Sequence, residues 1–223
     1  MHAYCINLER SPDRRESAFQ EFEREGLDVE FFRATDGKVE APNGIHVSTA
    51  EWGCADSHIR VWRDIVENGY DVALVFEDDV SLVPGFMDKL EKVMQELPDD
   101  WDFVNLGAVD IFRNDIKKVS DNLIFGQSLL THAYLITLEC AKKWSYFNSN
   151  KLTRSIDIHM MYYPSNNIHL REPIVIQNIK TESTIGGLPR SFDYNLFVVK
   201  WGFIVILLIV SIILYIFRKQ ILG

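Results

Sequence analysis

The sequence predicts an α/β protein with a mostly parallel, twisted sheet, helices on both faces of that sheet, and one C-terminal transmembrane helix. Short apolar runs alternate with amphipathic segments through the first hundred residues, and this alternation is typical of parallel sheets covered by helices. The 223 residues are 47% hydrophobic and 25% charged, as expected of a globular domain. Residues 201–217 contain neither charge nor proline, which indicates a membrane span.

The first strand and the first helix follow each other closely. The apolar run AYCINL at 3–8 predicts a buried strand. Ser11 and Pro12 are the residue types that favour a helix N-cap and a first helical position, and Gly26 is suited to ending that helix. The chain is therefore expected to begin with a strand and helix that pack on each other.

A second strand and a longer helix come next. The segment DVEFFRA predicts a strand, and the residues at 35–37 predict a turn after it. Ser48 and Glu51 have capping-box spacing. Apolar side chains, including Trp62, then recur every three or four residues as far as Gly69. This pattern predicts an amphipathic helix with Trp62 in the core.

Shorter patterns predict the remaining elements. A strand, a helix and another strand are predicted in DVALVF, GFMDKLEKVMQEL and WDFVNLGAV. After these we predict two strands, a helix, a helical turn or two and a late strand, in the segments NLIFGQSLL, THAYLIT, TLECAKKWSYF, SIDIHMMYY and EPIVIQ. No repeat or low-complexity linker divides the chain, so we expect one domain at 1–190.

Composition limits the partners and the compartment. The formal net charge is −9, and residues 1–196 carry −12 because the rest of the chain adds three basic residues and no acid. This acidic balance argues against nucleic acid as a partner, since phosphate backbones bind basic surfaces. The three cysteines lie far apart among apolar or small neighbours, which predicts buried free thiols and a reducing compartment: Cys5, Cys54 and Cys140.

The C-terminal segment predicts a membrane anchor. Residues 197–217 supply the ~20 mostly apolar residues that a helix needs to cross a bilayer. A buried core helix is the alternative, but an all-round apolar helix needs a larger protein to cover it. Residues 191–196 would form a tether and 218–223 a short basic tail. Because MHAYCINL has no signal-peptide pattern, we expect a single-pass, tail-anchored protein whose domain at 1–190 faces the cytoplasm.

Three acids directly follow the strand predicted in DVALVF: Glu77, Asp78 and Asp79. Ligands of open α/β sheets bind beyond the carboxyl ends of the strands, where these acids fall. Side chains alternate along an extended backbone, so Glu77 and Asp79 are expected to point the same way. Two such carboxylates suit a divalent cation, Mn²⁺ or Mg²⁺. The alternative is a solvated loop in which Asp79 or Ser81 caps the helix beginning near Pro84.

Eight motifs occur in an order and at spacings that resemble glycosyltransferase family 25, which includes lipopolysaccharide and procollagen galactosyltransferases. They are INLERSPDRR, ATDG, GCADSHIRVW, LVFEDDV, WDFVNLG, AYLITLECAKKW, IDIHM and EPIVIQ. The resemblance, over about residues 3–180, implies a GT-A-like (Rossmann-like) fold. It also implies an inverting, Mn²⁺-dependent enzyme that moves galactose, or alternatively glucose, from a UDP-sugar. The acceptor would be a hydroxyl of a glycan, a lipid-linked glycan or a glycoprotein.

The resemblance also implies which residues bind the metal and the donor. Asp79 would be the main metal ligand with Glu77 assisting it, and Asp78 would lie near the donor ribose. The other donor-binding residues in the matching motifs are Asn7, Leu8, Arg10, Arg14, Asp36, Gly37, Ser57 and His58. Alternatives stay open: a solvated helix face for Arg14, a plain turn at 36–37, and a core position for His58.

An inverting transfer needs a base that takes the proton of the acceptor hydroxyl. Asp157 lies in the motif IDIHM, at the position of an acid in the family pattern, and is the predicted base. The alternative is that Asp157 is the N-cap of a short helix. Gln177 would help to shape the pocket, and His169 could supply a late metal ligand. The chain departs from the family pattern at Ala50, usually a glycine, and at Asp56, usually an apolar residue. The geometry of the donor loop is therefore open.

Two other functions fit parts of the sequence. An inactive descendant could serve as a membrane-anchored nucleotide-sugar-binding or scaffold protein, and a nucleotidyltransferase or phosphatase could use the same acids. The retained acids argue against the first, and the second lacks a phosphate-cradling glycine loop or a placed nucleophile. A metal-dependent glycosyltransferase is therefore the predicted function.

Overall fold

An eight-stranded sheet lies at the centre of the computed structural model, which describes residues 1–107, 117–126, 128–161 and 165–178. In chain order the elements are β1 His2–Asn7, α1 Pro12–Glu25, β2 Glu30–Arg33, α2 Gly37–Glu40, α3 Thr49–Asn68, β3 Val72–Glu77, β4 Val80–Leu82, α4 Phe86–Glu96, β5 Phe103–Asn105, β6 Lys117–Lys118, β7 Leu123–Phe125, β8 Ala133–Thr137, α5 Leu138–Ser145, a 3-10 helix Ser149–Lys151, α6 Ile156–Met161, β9 Asn167–Leu170 and β10 Val175–Gln177. The strand order is β2-β1-β3-β8-β5-β9-β7-β6, and β10 pairs separately with β4.

Most strands of this sheet run in the same direction. β1 pairs in parallel with β2 and β3, and β5 pairs in parallel with β9, whereas β8 lies antiparallel between β3 and β5. β7 is antiparallel to both of its neighbours. The predicted α/β class with a mostly parallel sheet is therefore confirmed. The reversed direction of β8 is not predicted, because an apolar run has the same pattern in either direction.

The predicted ends of the first and third helices are confirmed at the residues that specify them. Ser48 Oγ accepts a hydrogen bond from Glu51 N at 3.2 Å, and Glu51 Oε2 accepts one from Ser48 N at 2.9 Å, which completes the capping box of α3. Gly26 and Gly69 end α1 and α3 with φ of 68° and 67°. Glycine adopts this left-handed conformation without strain, so both helices end where the sequence indicates.

Helices cover both faces of the sheet, as predicted. On one face α1 and α4 bury Phe22 and Phe86, whose ring centroids lie 5.0 and 6.1 Å from that of Phe76 in β3. On the other face α3 and α5 bury Trp62 and Trp144 with their centroids 5.2 Å apart, which confirms the core position of Trp62. Each aromatic side chain removes about 150–250 Å² from water. These layers hold β1 and β3 in place beneath the site.

Two local expectations need correction. The turn expected around Asp36 is the start of the short helix α2, because Asp36 accepts a hydrogen bond from Lys38 N at 3.0 Å and caps it. All three cysteines are free thiols, but Cys54 is half-buried while the other two are buried as predicted. Cys54 is less buried because it lies on the wall of a cleft.

The described residues all belong to one unit of the chain, Met1–Ile185. The predicted tether at 191–196, transmembrane helix at 197–217 and basic tail at 218–223 lie outside them, as do residues 179–190 at the end of the predicted domain. Within the part of the chain that the structure describes, no helix combines the length and the apolar character needed to cross a membrane.

Candidate functional site

A cleft, which we call the first cleft, lies at the carboxyl ends of β1 and β3, beside α1, α2 and the first turns of α3. Nine of the eleven predicted donor and metal residues line it: Leu8, Arg10, Arg14, Asp36, Gly37, Ser57, His58, Glu77 and Asp78. The other two, Asn7 and Asp79, are buried next to these residues. Because β1 and β3 are parallel neighbours, with Ile6 opposite Glu77, motifs far apart in the sequence meet at one sheet edge.

Arg14 joins the two acids of the turn after β3. Its guanidinium contacts a carboxylate oxygen of Asp78 and lies 3.3 Å from Oδ2 of Asp79. Asn7 Nδ2 donates to the other Asp78 oxygen at 2.7 Å, and Gln177 Nε2 donates to Asp79 Oδ2 at 3.0 Å. Asp78 and Asp79 are 6% and 2% exposed. The acids and Arg14 therefore form a buried charged network, and the solvated alternatives for them are wrong.

The structure does not pair Glu77 with Asp79 as expected. Glu77 ends β3 and lines the first cleft, whereas Asp79 lies in the following turn and does not line it. Side chains alternate only along an extended backbone, and the chain turns at Asp78 and Asp79 before β4. Asp78 and Asp79 are consequently the two acids that share a partner. The helix-capping alternative is also wrong, because Gly85 occupies the N-cap of α4.

Asp78 has an unfavourable charge environment. Burial raises its pKa to about 6, and the carboxylates of Asp79 and Glu77 act in the same direction, while Arg14 and Asn7 oppose them. Arg14 and Asn7 therefore do not fully offset the cost of burying the Asp78 carboxylate beside two other acids. An additional cation at this place would lower the electrostatic cost of ionising Asp78.

Glu77 is held by a hydrogen-bond network. Thr131 Oγ1 donates to Glu77 Oε1 at 2.8 Å, and His58 Nε2 lies 3.4 Å from the same oxygen. The other ring nitrogen of His58 lies 2.9 Å from the hydroxyl of Tyr134. Burial opposes the ionisation of Glu77, but His58, Thr131 and His132 outweigh it, so its pKa lies below its usual value. His58 is 1% exposed and is thus a core histidine that orients a cleft carboxylate.

Cys54, His58 and Glu77 have potential ligand atoms within 4.8 Å of one another, a grouping that the sequence does not predict. A thiolate, an imidazole and a carboxylate would suit Zn²⁺ better than Mn²⁺. Burial raises the pKa of the Cys54 thiol well above its usual value, which disfavours the thiolate that a metal would need. Both His58 nitrogens already have hydrogen-bond partners. We therefore assign no metal to this group.

Two glycines let α2 approach the start of α3. A Cβ atom on Gly37 would lie 1.7 Å from the backbone oxygen of Thr49, and one on Gly53 would lie 2.7 Å from Gly37 N. Neither backbone atom can move away without separating the helices. Asp36, directly before Gly37, pairs with Arg10 Nε at 2.5 Å. The close contact between the helices therefore positions the Asp36 side of the first cleft.

Ser57 and Asp56 hold the loop that leads into α2. Ser57 Oγ accepts a hydrogen bond from Thr35 N at 2.8 Å and donates one to Gly53 O at 2.6 Å. Asp56 accepts hydrogen bonds from Thr35 Oγ1 and Ser149 Oγ, both at 2.8 Å. The polar residue at Asp56, unusual for the family pattern, therefore has a structural role, and the hydroxyl of Ser57 is occupied in supporting the cleft wall.

A second pocket adjoins the first cleft. Its walls are Glu51, Cys54, Glu77, Leu130, Thr131, His132, Ser155, Ile156, Asp157 and Gln177. Cys54 and Glu77 line both spaces. Asp157 is the second residue of α6, and its carboxylate accepts hydrogen bonds from Leu130 N at 3.2 Å and Ile158 N at 2.8 Å. The predicted base therefore lies inside its helix, not at the N-cap, and borders the second pocket.

The sequence patterns do not identify Thr131 and His132 as site residues. Both precede β8, and the amino end of a strand is not where a parallel sheet binds its ligands. Because β8 runs antiparallel to β3, its start lies beside the end of β3, and Glu77 N donates to His132 O at 2.9 Å. If the antiparallel direction of β8 had been predicted, Thr131 and His132 would have been expected beside the end of β3. His169, in β9, lines neither space.

Comparison with known proteins identifies the family. Residues 1–160 match the model described as Glycosyltransferase family 25 (LPS biosynthesis protein). A glycosyltransferase 25 family member of Aedes aegypti is 33% identical over 165 residues, covering 64% of this chain and 27% of that protein. Procollagen galactosyltransferase 2 of Mus musculus is 27% identical over 165 residues, covering 63% and 26%. A probable inactive glycosyltransferase 25 family member 3 of Bos taurus is 28% identical over 167 residues, covering 63% and 28%.

A solved structure has a similar fold. A glycosyltransferase involved in the glycosylation of the major capsid of PBCV-1 matches with a TM-score of 0.50 at 10% sequence identity, covering 81% of this chain and 93% of that chain. This likeness shows the fold alone. The chain spans between 26% and 28% of the length of the three relatives named above. Since the family model matches residues 1–160, the chain belongs to glycosyltransferase family 25.

Proposed function

We propose that this chain transfers a hexose from a UDP-sugar to a hydroxyl group of a glycan or glycoprotein, with inversion at the sugar carbon. One observation carries the proposal: the cleft that contains the predicted donor residues adjoins a second pocket, and Cys54 and Glu77 line both. Two substrates could therefore meet at one place, as a group transfer requires. The similarity to a procollagen galactosyltransferase supports galactose as the hexose, with glucose as the alternative.

The first cleft has the charges that a nucleotide diphosphate requires. Arg10, Arg14 and Lys38 line it, and cationic side chains form strong hydrogen bonds to phosphate oxygens. Arg10 is paired with Asp36 and Arg14 with Asp78, so ion pairs within the protein orient both guanidinium groups. Prior orientation of these side chains reduces the entropy lost when the donor binds.

The acids of the turn fit a hard divalent cation, Mn²⁺ or Mg²⁺. Such ions prefer carboxylate oxygens, and Asp78 and Asp79 supply two neighbouring carboxylates that share the single guanidinium of Arg14. We propose that Asp79 and Asp78 hold the ion, with Glu77 assisting from the cleft wall. When bound, the ion would stabilise the negative charge on the departing diphosphate. Arg14 supplies a fixed positive charge beside the same acids.

Asp157 is the proposed base. Its carboxylate borders the second pocket, where the backbone amides of Leu130 and Ile158 hold it. It would accept the proton of the acceptor hydroxyl while the acceptor oxygen attacks the sugar carbon from the side opposite the diphosphate. Glu77 belongs to the walls of both spaces, so the pocket that Asp157 borders adjoins the predicted donor site.

Binding and hydrolysis of UDP-galactose and UDP-glucose by the full chain, with and without Mn²⁺, test the proposal. We expect metal-dependent turnover that Asp79→Asn lowers on the order of 10²-fold. Asp88→Asn, which changes an exposed acid of α4, is the matched control and should keep full turnover. A folded chain that binds neither donor would overturn the proposal. That outcome would support a scaffold protein without transferase activity, and one bovine relative is named as probably inactive.

We also propose that residues 197–217 anchor the chain in a membrane. Their apolar composition and their length support this. Fractionation of cells that express the full chain tests it: the chain should stay with membranes after an alkaline wash, and a chain without residues 197–223 should not. Release of the full chain by the wash would contradict an integral anchor.

A further inference from the structure

The second pocket differs from the first cleft in charge. Three basic side chains, described above, and three acids line the first cleft, so their formal charges balance; the acids are Asp36, Glu77 and Asp78. Among the described residues that line the second pocket there is no lysine or arginine, whereas three are acids: Glu51, Glu77 and Asp157. The two adjoining spaces are therefore suited to ligands of different charge, since like charges repel and this repulsion is strong where solvent is excluded.

Hydrogen bonds hold these acids, and within the described ranges no lysine or arginine does so. Glu51 accepts hydrogen bonds from Ser48 in the capping box, and Asp157 accepts them from backbone amides. Neither carboxylate has an ion-pair partner in the described ranges. Glu77 binds Thr131 and lies near His58. The negative charge of the pocket is thus largely uncompensated by the protein.

The pocket also contains a buried polar group that a ligand could satisfy. His132 lines it and is 2% exposed, and its Nδ1 has no hydrogen-bond partner among the residues that the structure describes. A buried nitrogen without a partner costs free energy, so a ligand group that binds it is favoured. Ser155 and Gln177 add a hydroxyl and an amide to the same walls. Side chains of these types form hydrogen bonds with hydroxyl groups.

We infer that the second pocket takes a hydroxyl-rich acceptor group without negative charge, and that it excludes acceptors with a phosphate or carboxylate at this place. The inference rests on the proposed function and adds the chemical class of the acceptor to it. The first cleft, where basic side chains offset the acids, and the acidic second pocket would then sort the two substrates, because only the first offers basic side chains to the phosphates of the anionic donor and the second repels them.

Thiol labelling measures the charge of each space without requiring catalysis. In the full chain with Cys54→Ala, a cysteine is placed in the second pocket by Ser155→Cys or in the first cleft by Ala50→Cys, and both positions are half-buried. The measured quantity is the ratio of labelling rates for cationic and anionic methanethiosulfonates. We expect this ratio to be roughly tenfold higher for Ser155→Cys than for Ala50→Cys. Equal ratios, or a lower one in the second pocket, would overturn the inference.

Protection by sugars tests whether the pocket binds the expected class. Methyl β-D-galactopyranoside is the neutral probe and galacturonate the anionic probe, used at the same concentration. The neutral probe should slow labelling of Ser155→Cys severalfold, and galacturonate should not. Equal protection by both, or protection by neither, would overturn the inference. UDP should slow labelling of Ala50→Cys, and its failure to do so would count against the proposed function instead.

Discussion

Asn7, the last residue of β1, donates a hydrogen bond of 2.7 Å to Asp78, the first residue after β3. This bond ties together the ends of two parallel neighbouring strands. Both side chains are buried, and the bond holds Asp78 where Arg14 contacts it. The carboxyl edge of the sheet is therefore cross-linked by polar groups, so changes at these residues should affect stability and binding together.

The raised pKa of Asp78 predicts a pH-dependent stability. An ordinary aspartate has a pKa of 3.8, whereas burial raises that of Asp78 to about 6. Between these values the folded protein keeps a proton that the unfolded chain loses, so the free energy of unfolding falls as pH rises through this window. Asp78→Asn removes this dependence. The measurement is urea titration without metal. As pH rises from about 4 to about 7, the free energy of unfolding of the variant should increase by up to about 3 kcal/mol relative to that of wild type.

The exposed acid Asp88 provides the control for this experiment. Asp88→Asn should change the free energy of unfolding by less than about 0.5 kcal/mol over the same pH range. A difference between Asp78→Asn and wild type that does not vary with pH would show that Asp78 titrates alike in the folded and unfolded states. The conclusion that burial raises the pKa of Asp78 in the folded protein would then be wrong.

Two neighbouring arginines of α1 form a matched pair for nucleotide binding. Arg14 contacts Asp78 and lines the first cleft, whereas the guanidinium carbon of Arg15 lies 4.1 Å from the ring centroid of Phe31. Arg14→Met should weaken UDP binding roughly 10- to 100-fold, because a charged hydrogen bond is lost. Arg15→Met should leave it nearly unchanged. Isothermal titration calorimetry measures both, and equal losses would argue against the first cleft as the nucleotide site.

The close contact of α2 with α3 predicts a steric effect on stability. Gly53→Ala places a methyl group 2.7 Å from Gly37 N, so the backbone must shift. We expect the free energy of unfolding to fall by about 1–3 kcal/mol in chemical denaturation. Val39→Ala, at an 81% exposed position of α2, should change it by less than about 0.5 kcal/mol. A Gly53→Ala variant as stable as wild type would mean that the two helices separate at little cost.

The hydrogen bond from Thr131 to Glu77 can be measured with a double-mutant cycle. Thr131→Val and Glu77→Gln each weaken or remove this 2.8 Å bond. The difference between the change in free energy of unfolding of the double variant and the sum of the two single changes is the coupling energy. We expect a coupling energy of about 1.5–3 kcal/mol, the range of a hydrogen bond to a charged group. Additive effects would show that Thr131 does not hold Glu77, and the assignment of Thr131 to the site would be wrong.

Helix ends and strand positions could be predicted because their determinants are local. The capping box of Ser48 and Glu51 joins groups three residues apart, and Gly69 ends the same helix through its own backbone conformation. Buried strands such as β3 are recognised by their continuous apolar side chains. The family motifs likewise indicated nine residues that line the first cleft, since three of these motifs include or follow the ends of β1, β2 and β3 and the fourth lies within α3.

The sequence patterns could not predict contacts between residues far apart in the chain. Asn7 and Asp78 are 71 residues apart and meet because β1 and β3 are neighbours, and Thr131 reaches Glu77 because β8 is antiparallel. The turn at Asp78 and Asp79 also ended the alternation that would have paired Glu77 with Asp79. Apolar periodicity indicates which side of an element is buried. Strand order, strand direction and the sharing of Arg14 by two acids follow from how the elements pack.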